Sequence, residues 1–356
     1  MQARLLALDS SHPLLILSES AEQRWGLGGF VAEFSRGRSV SRLSHCPQNP
    51  TFHDVGGALR ALNRAPVDAI VAFGGGSALD MAKAICAFYR QGAAPCDEDI
   101  LAGIQGHAYR AKESFVPLIA IPSTAGTGSE ITRWATVWDL DNNKKYSIDA
   151  PQLKPVLALE VPELTLSLSA SMTLSTGLDA LCQAVESYWA KATNPLVQQI
   201  ALQAIALITA HLEATLAKPS QVELRQKMCL GSTLAAVAFS HTRTTACHSI
   251  SYPLTMRFGV PHGFAAALTL GAVSEWNRGH FANEDALFAL FAPFGGVQAY
   301  LDKAADGIQK MRLSAFGVTE ADLPALAESS FTAGRMDNNP AEISQKDVQM
   351  LLHSVL

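Results

Sequence analysis

The periodicity of apolar residues changes near residue 164, and this change constrains the fold more than any other feature of the sequence. Before it, short apolar runs at residues 14–17, 67–73 and 116–121 alternate with helical periodicity at residues 21–34 and 77–89. Alternating strands and helices predict a mostly parallel, doubly wound sheet that binds ligands at the carboxyl ends of its strands. We therefore expect an N-terminal α/β domain.

Helical periodicity dominates the rest of the chain, at residues 174–190, 195–216, 221–238, 245–254 and 264–272. An all-α domain is expected there. A chain of 356 residues is also longer than a single hydrophobic core usually supports. Because Pro151, Pro155 and Pro162 punctuate the transition, we place the two domains at residues 1–162 and 163–356.

Composition and charge limit the class of protein. The content of 48% apolar and 17% charged residues is typical of a folded soluble protein. No run of about 18 uncharged apolar residues suggests a membrane span, and a net charge of −5 without a basic cluster argues against nucleic acid as a partner. The N-terminus does not resemble a signal peptide. The six cysteines form no CxxC pair, which favours reduced thiols and a cytoplasmic location.

Two polar loops follow predicted strands, where a dinucleotide would bind. The turn Gly74-Gly75-Gly76-Ser77 lets the backbone approach a phosphate at a helix N-terminus, although the same turn also occurs without a ligand and does not match the GxGxxG pattern. The loop at residues 122–130 brings further hydroxyl groups at Ser123, Thr124 and Thr127. Glu19 ends the first apolar run, where a carboxylate binds a ribose 2′-hydroxyl and favours NAD, while NADP stays open.

Four polar residues of the second half predict a site for one divalent metal ion. Asp179 and Gln183 are one helical turn apart and project from the same face. His248 and His262 flank a segment punctuated by proline and glycine. Imidazole and carboxylate donors together suit Zn²⁺ or Fe²⁺. The alternative is that Asp179 is an ordinary helix-face residue and the histidines are hydrogen-bonded core groups.

Several motifs resemble the iron-containing alcohol dehydrogenase family. They are residues 73–83 (FGGGSALDMAK), 122–130 (PSTAGTGSE), 177–181 (GLDAL), 261–263 (PHG) and 334–340 (GRMDNNP). The resemblance implies a dinucleotide-binding α/β domain followed by a helical metal-binding domain, in a dehydroquinate synthase-like architecture. It also implies that Asp80 and Lys145 lie near the cofactor, and that the protein is a homodimer or a larger homo-oligomer.

Three further stretches resemble the family members associated with phosphonate metabolism. These are residues 135–139 with 144–147, residues 186–189 and residues 251–255. The chain departs from the family pattern twice. Gln183 stands where the family usually has a histidine ligand, and Tyr252 stands where it often has a histidine that serves a proton relay. The amide oxygen of Gln183 is a weaker donor to the ion, and the hydroxyl group of Tyr252 could replace the relay.

These features together predict a metal-dependent, NAD(P)H-linked reductase that interconverts a small aldehyde and its primary alcohol. A phosphonate substrate, phosphonoacetaldehyde above all, would need cations, for which Arg243 is the first candidate and Arg133 and Arg257 are weaker ones. Tyr252 and His262 are the expected catalytic residues. Three alternatives stay open: a metal-independent reductase similar to maleylacetate reductases, a general short-chain alcohol dehydrogenase, and a non-catalytic dinucleotide-binding protein.

Overall fold

The computed structural model describes residues 1–62, 65–90, 95–142 and 144–356. The chain forms two compact units. The sheet unit contains Met1–Thr124 and Ser129–Ser167, and the helical unit contains Ala125–Gly128 and Leu168–Leu356. The short segment Ala125–Gly128 is thus counted with the helices although it follows a strand of the sheet. The domain boundary at 162/163 remains a prediction from the sequence, beside this division of the chain at Ser167.

The sheet unit is built on five parallel strands in the order β2-β1-β3-β4-β7. They are β1 (Pro13–Ile16), β2 (Ser41–Leu43), β3 (Ala69–Gly74), β4 (Leu118–Pro122) and β7 (Leu157–Ala158). The chain leaves β1 towards β2 on one side, and β3 and β4 follow on the other side. Between β1 and β3 the sheet therefore has a switch point, the position at which doubly wound folds bind ligands. The predicted doubly wound, mostly parallel sheet is confirmed.

Helices cover both faces of this sheet. They are α1 (Gln2–Leu6), α2 (Glu19–Arg24), α3 (Gly28–Phe34), α4 (Phe52–Ala61), α5 (Gly76–Phe88) and α6 (Asp97–Gln105). Alternate strand residues enter different cores: Leu14 packs with α4 and α5, whereas Leu15 packs with α3. Because both faces are buried, the strands read as continuous apolar runs. The single helix predicted for residues 21–34 is wrong, since the chain turns at Gly26 and forms α2 and α3.

An antiparallel hairpin completes the sheet unit. It pairs β5 (Trp134–Asp139) with β6 (Lys144–Asp149), and Val137 stands opposite Tyr146. The sequence did not predict it, because β6 carries two lysines and an aspartate and has no strong apolar alternation. The hairpin is attached to α5 through the backbone N–H of Thr136, which donates to the carboxylate of Asp80 at 2.9 Å.

The helical unit contains ten α-helices among the described residues and no strand. They are α7 (Ala170–Trp189), α8 (Pro195–Ala217), α9 (Val222–Thr242), α10 (Ala246–Phe258), α11 (His262–Ala267), α12 (Leu270–Trp276), α13 (Glu284–Ala289), α14 (Val297–Ala304), α15 (Leu323–Glu328) and α16 (Gln345–Ser354). Ser169 and Asn194 cap the N-termini of α7 and α8 with their side chains. The all-α character is confirmed, but the helix predicted for residues 264–272 is two helices, α11 and α12.

Helix α8 is, within the described parts of the chain, the one helix long and apolar enough to cross a membrane, and 39% of its apolar window is buried. Length and composition are weak evidence for a span, because a core helix of a globular protein has the same properties. Val197, Ala201, Ile205, Ile208 and Leu212 form one buried face of α8. This face belongs to the core that α7, α8 and α9 share.

Candidate metal and dinucleotide sites

Three of the four predicted metal ligands lie together in the helical unit. One donor atom each of Asp179, His248 and His262 lies within 4.8 Å of the others. The Nε2 atoms of His248 and His262 are 3.3 Å and 4.0 Å from Oδ1 of Asp179. Donor atoms at these separations suit one ion with bonds of about 2.1 Å. The side chains of Asp179 and His248 are buried, whereas that of His262 is 38% exposed, so the cluster is accessible from the side of His262.

Helix α7 presents Gln183 one turn after Asp179, as the sequence predicts. The side chain of Gln183 is buried, and its Oε1 atom finds no hydrogen-bond partner among the residues that the structure describes. Leaving a buried amide oxygen unpaired costs about 1–3 kcal/mol. A cation held by Asp179, His248 and His262 would offer this oxygen a partner. The donor set of two imidazoles, a carboxylate and an amide oxygen therefore fits one divalent ion.

Glu186, another turn along α7, fixes the orientation of His248. It is fully buried, and one carboxylate oxygen accepts from the backbone N–H of Thr245 at 2.9 Å, the Thr245 hydroxyl at 2.9 Å and the backbone N–H of His248 at 3.3 Å. The other oxygen accepts from Nδ1 of His248. With the proton on Nδ1, the lone pair of Nε2 faces Asp179 and is available to a metal ion. Sequence reasoning did not assign this role to Glu186.

Electrostatics at His248 favour a positive charge. Burial acts to lower the pKa of His248, but the carboxylates of Glu186 and Asp179 outweigh it and raise the pKa to about 10. Burial likewise acts to raise the pKa of Asp179, and hydrogen bonding and charge from His248 and His262 hold it below its usual value. Two buried carboxylates around one imidazole thus create a position for a cation, which a divalent ion satisfies as well as a proton does.

Replacing Glu186 by Gln is expected to weaken metal binding by about 10- to 100-fold, the range for partners of a metal-bound histidine. The amide has the size of the carboxylate but not its charge, so Nε2 of His248 becomes a poorer donor. Competition with a chromophoric chelator measures the Zn²⁺ affinity of the Glu186→Gln protein. Glu223→Gln, on the exposed side of α9, is the control. Equal Zn²⁺ affinity in both variants would show that Glu186 does not contribute to metal binding.

The two residues predicted to be catalytic are neighbours. The rings of Tyr252 and His262 are stacked, with centroids 6.0 Å apart and planes 7° from parallel. The hydroxyl group of Tyr252 accepts a hydrogen bond from Nε of Arg335 at 3.4 Å. Arg335 lies in the motif at residues 334–340, which supported the resemblance, but no pattern in the sequence singles it out. The catalytic roles of Tyr252 and His262 stay predictions.

Of the three arginines that a phosphonate was expected to need, Arg133 belongs to the sheet unit, and Arg243 and Arg257 belong to the helical unit. Arg133 forms an ion pair with Asp149 at 2.8 Å, and Arg257 donates to the hydroxyl of Ser329 at 2.9 Å. Arg243 follows the end of α9 and has an unusual backbone, with φ of 64° and ψ of −179°. Its guanidinium lies close to Gly334, beside Arg335. The substrate-binding roles of Arg243, Arg133 and Arg257 stay predictions.

The predicted dinucleotide residues of the sheet unit gather at the carboxyl ends of three adjacent strands. Glu19 begins α2 after β1, the glycine turn follows β3, and Ser123 and Thr124 follow β4. Gly74 has φ of 151°, and a Cβ atom there would be 2.5 Å from Cβ of Ala78, so only glycine fits this turn. No side chain among the described residues caps the N-terminus of α5. Such an uncapped helix start after a glycine turn suits a phosphate group.

Other predicted cofactor residues have partners within the protein. Asp80 accepts from the hydroxyl of Ser129 at 2.7 Å and from the backbone of Thr136, so its carboxylate braces the loop after β4, and its contact with the cofactor stays a prediction. The hydroxyl group of Ser77 accepts from the backbone N–H of Asn49 at 3.1 Å. Lys145 lies over the ring of Trp138, 5.8 Å from its centroid. Thr127 belongs to the segment counted with the helical unit.

The glycine turn of the sheet unit suits a dinucleotide phosphate, and the Asp/His/His cluster of the helical unit suits a divalent ion. Together these two sites are typical of an oxidoreductase. Sequence models of the iron-containing alcohol dehydrogenase match residues 1–162, and those of the C-terminal region of the Fe-containing alcohol dehydrogenase family match residues 173–356. The chain belongs to the iron-containing alcohol dehydrogenase family, and the protein is an oxidoreductase of the aldehyde/alcohol class.

Individual relatives cover most of the chain. Phosphonoacetaldehyde reductase of Streptomyces viridochromogenes is 33% identical over 321 residues, which are 85% of this chain and 80% of that protein. A 1,3-propanediol dehydrogenase of Klebsiella pneumoniae is 32% identical over 330 residues, 88% of this chain and 82% of that one. The crystal structure of sulfoacetaldehyde reductase from Bifidobacterium kashiwanohense in complex with NAD⁺ superposes with a TM-score of 0.85 at 27% identity and covers 100% of this chain and 93% of that one.

Proposed function

We propose that the protein is a metal-dependent, NAD(P)H-linked reductase that converts phosphonoacetaldehyde to 2-hydroxyethylphosphonate. The observation that carries the chemistry is the cluster of Asp179, His248 and His262 beside the unpartnered amide oxygen of Gln183. The choice of substrate is supported by two relatives that are named for two-carbon aldehydes with a tetrahedral oxyanion, a phosphonate in one and a sulfonate in the other.

The metal-binding residues and Tyr252 have different roles at the reacting carbonyl: the former would hold the ion, and the latter would supply a proton. When bound, the divalent ion polarises the carbonyl oxygen and the reduced nicotinamide supplies the hydride. Asp179, His248 and His262, with the amide oxygen of Gln183, would hold the ion. Glu186 keeps the proton of His248 on Nδ1. Tyr252, whose ring is stacked on that of His262, would deliver a proton from its hydroxyl group to the product oxygen.

For the cofactor, we assign the dinucleotide to the carboxyl edge of β1, β3 and β4. The backbone of Gly74, Gly75 and Gly76 and the hydroxyl groups at Ser123 and Thr124 would bind its phosphates. Glu19 is exposed and follows β1, which favours the free ribose hydroxyl of NAD over the charged 2′-phosphate of NADP. The NAD⁺ in the related sulfoacetaldehyde reductase agrees with this choice.

The test is NADH and NADPH oxidation with phosphonoacetaldehyde, with propionaldehyde as the uncharged comparison. The purified protein is assayed as isolated, after removal of metal by a chelator, and after addition of Zn²⁺ or Fe²⁺. We expect turnover that disappears on chelation and returns with metal, a higher kcat/KM for phosphonoacetaldehyde than for propionaldehyde, and a preference for NADH.

Other outcomes would replace parts of the proposal. Turnover that survives chelation would favour the metal-independent reductase, which Gln183 in the place of a histidine keeps open. Equal kcat/KM for both aldehydes would favour a general short-chain alcohol dehydrogenase. Tight binding of NADH without turnover of either aldehyde would favour a dinucleotide-binding protein that has lost catalysis.

A further inference from the structure

The turn at Gly334 and Arg335 places a guanidinium group one aromatic ring away from the metal cluster. Nε of Arg335 donates to the hydroxyl of Tyr252 at 3.4 Å, and the ring of Tyr252 is stacked on that of His262. Nη1 of Arg335 donates to the carbonyl oxygen of Gly334 at 3.2 Å. Arg335 is therefore linked to His262, the partly exposed member of the cluster, through Tyr252.

A second guanidinium group reaches the same turn. A Cβ atom on Gly334 would lie 2.7 Å from Nη1 of Arg243, and Gly334 itself has φ of 74°. Only glycine combines this backbone conformation with such close approach of the arginine. Arg243 and Arg335 thus both contact Gly334, although 91 residues of sequence separate the two arginines.

The backbone of Arg243 is strained. Its φ of 64° with ψ of −179° belongs to a region that residues other than glycine rarely adopt, at a cost of about 1–3 kcal/mol. The conformation is held by the hydrogen bond from its N–H to the carbonyl oxygen of Phe239 at 2.7 Å and by the Thr242 hydroxyl, which donates to its carbonyl oxygen at 2.8 Å. Strain of this kind tends to occur where a side chain has a functional position.

The donors of Arg335 are only partly used. Its hydrogen bonds within the described structure go to a hydroxyl and a carbonyl oxygen through Nε and Nη1, and Nη2 has no partner there. No carboxylate among the described residues forms an ion pair with Arg335. A tetrahedral oxyanion can accept from two neighbouring guanidinium groups through several oxygens.

We infer that Arg335 and Arg243 form the binding site for the oxyanion of the substrate, and that Arg335 sets the preference for anionic over neutral aldehydes. This inference rests on the proposed function, which supplies the aldehyde end of the same molecule. A two-carbon aldehyde has its phosphonate close to its carbonyl group, in keeping with a cation site one ring away from His262. Arg335 contributes to substrate recognition. In this arrangement the hydroxyl of Tyr252 lies between the carbonyl group and the phosphonate group of the bound substrate.

Arg335→Gln is the variant that tests the assignment. We expect the ratio of kcat/KM for phosphonoacetaldehyde to kcat/KM for propionaldehyde to fall about 10- to 100-fold, as for loss of one charge-assisted hydrogen-bonding partner. The loss should appear mainly in KM for the anionic substrate. Arg335→Lys, which keeps the charge but loses the planar fork, should recover part of the ratio. Arg278→Gln, at an exposed arginine that pairs with Glu275, is the control and should keep the wild-type ratio.

A second measurement separates failure of this inference from failure of the proposed function. Ethylphosphonate, which has no carbonyl group, should inhibit the reduction of propionaldehyde competitively in the wild-type protein and at least 10-fold more weakly in Arg335→Gln. If phosphonoacetaldehyde is a poor substrate but ethylphosphonate inhibition depends on Arg335, the proposed reaction is wrong and the oxyanion site stands. If the ratio and the inhibition constant are the same in Arg335→Gln as in the wild type, the inference is overturned.

Discussion

Replacing Asp179 by Asn is expected to lower the affinity for Zn²⁺ or Fe²⁺ by more than about 100-fold, which exceeds the usual effect of a residue that only orients a ligand. Asp179 is the one carboxylate in the cluster of three, and its Oδ1 atom lies 3.3 Å from Nε2 of His248 and 4.0 Å from Nε2 of His262. The amide of Asn keeps the shape but removes the negative charge, so two imidazoles and an amide remain.

Chelator competition and metal analysis of the purified protein measure this loss directly. Aldehyde reduction by Asp179→Asn should be restored only at metal concentrations well above those that saturate the wild type. Asp306→Asn changes an exposed aspartate of the same unit and should behave as the wild type does. Full metal occupancy together with normal turnover in Asp179→Asn would show that the ion is bound elsewhere or is not needed.

The parallel strands could be predicted from the sequence because burial on both faces makes them continuous apolar runs. Leu14 and Leu15 enter different cores, so neither position could be polar. The hairpin β5–β6 could not be predicted in this way. Its position depends on a contact that is remote in sequence, the hydrogen bond from the backbone of Thr136 to Asp80, and not on an apolar pattern of its own.

In the metal cluster, too, some residues could be predicted from local spacing and others depend on contacts that are remote in sequence. The spacing of Asp179 and Gln183 places both on one face of α7 whatever the rest of the chain does. The contribution of Glu186 depends on α10, which brings the backbone of Thr245 and the ring of His248 to its carboxylate. Arg335 lies 83 residues after Tyr252 in the chain, and no local pattern indicates that the two side chains meet.

Asp80, whose motif predicts a cofactor contact, also has hydrogen-bond partners within the fold that the sequence did not indicate. Together with Lys83 it forms a buried polar network of the sheet unit. Nζ of Lys83 donates to the hydroxyl groups of Ser129 at 2.9 Å and Thr132 at 3.3 Å, and to the carbonyl oxygen of Trp134 at 2.8 Å. The side chain is completely buried. Burial lowers the pKa of Lys83 to about 8, against the opposing charges of Asp80 and Glu130.

Replacing Lys83 by Met is expected to lower the free energy of unfolding by about 3–5 kcal/mol, the cost of removing one partner from a buried charge network. Met fills a similar volume, but the half-buried carboxylate of Asp80 and the buried carboxylate of Glu130 lose their cation, and desolvation already raises the pKa of both. Ser129, Thr132 and the carbonyl of Trp134 also lose a donor, so the loop after β4 loses its anchor to α5.

Urea unfolding of the full chain, followed by circular dichroism, measures the change. Lys154→Met, at an exposed lysine of the same unit, is the matched control and should shift the free energy of unfolding by less than about 0.5 kcal/mol. A loss below about 1 kcal/mol in Lys83→Met would mean that Asp80 and Glu130 are protonated in the native protein and need no cation. Since the loop that Lys83 anchors begins with Ser123 and Thr124, the same variant should also weaken NADH binding.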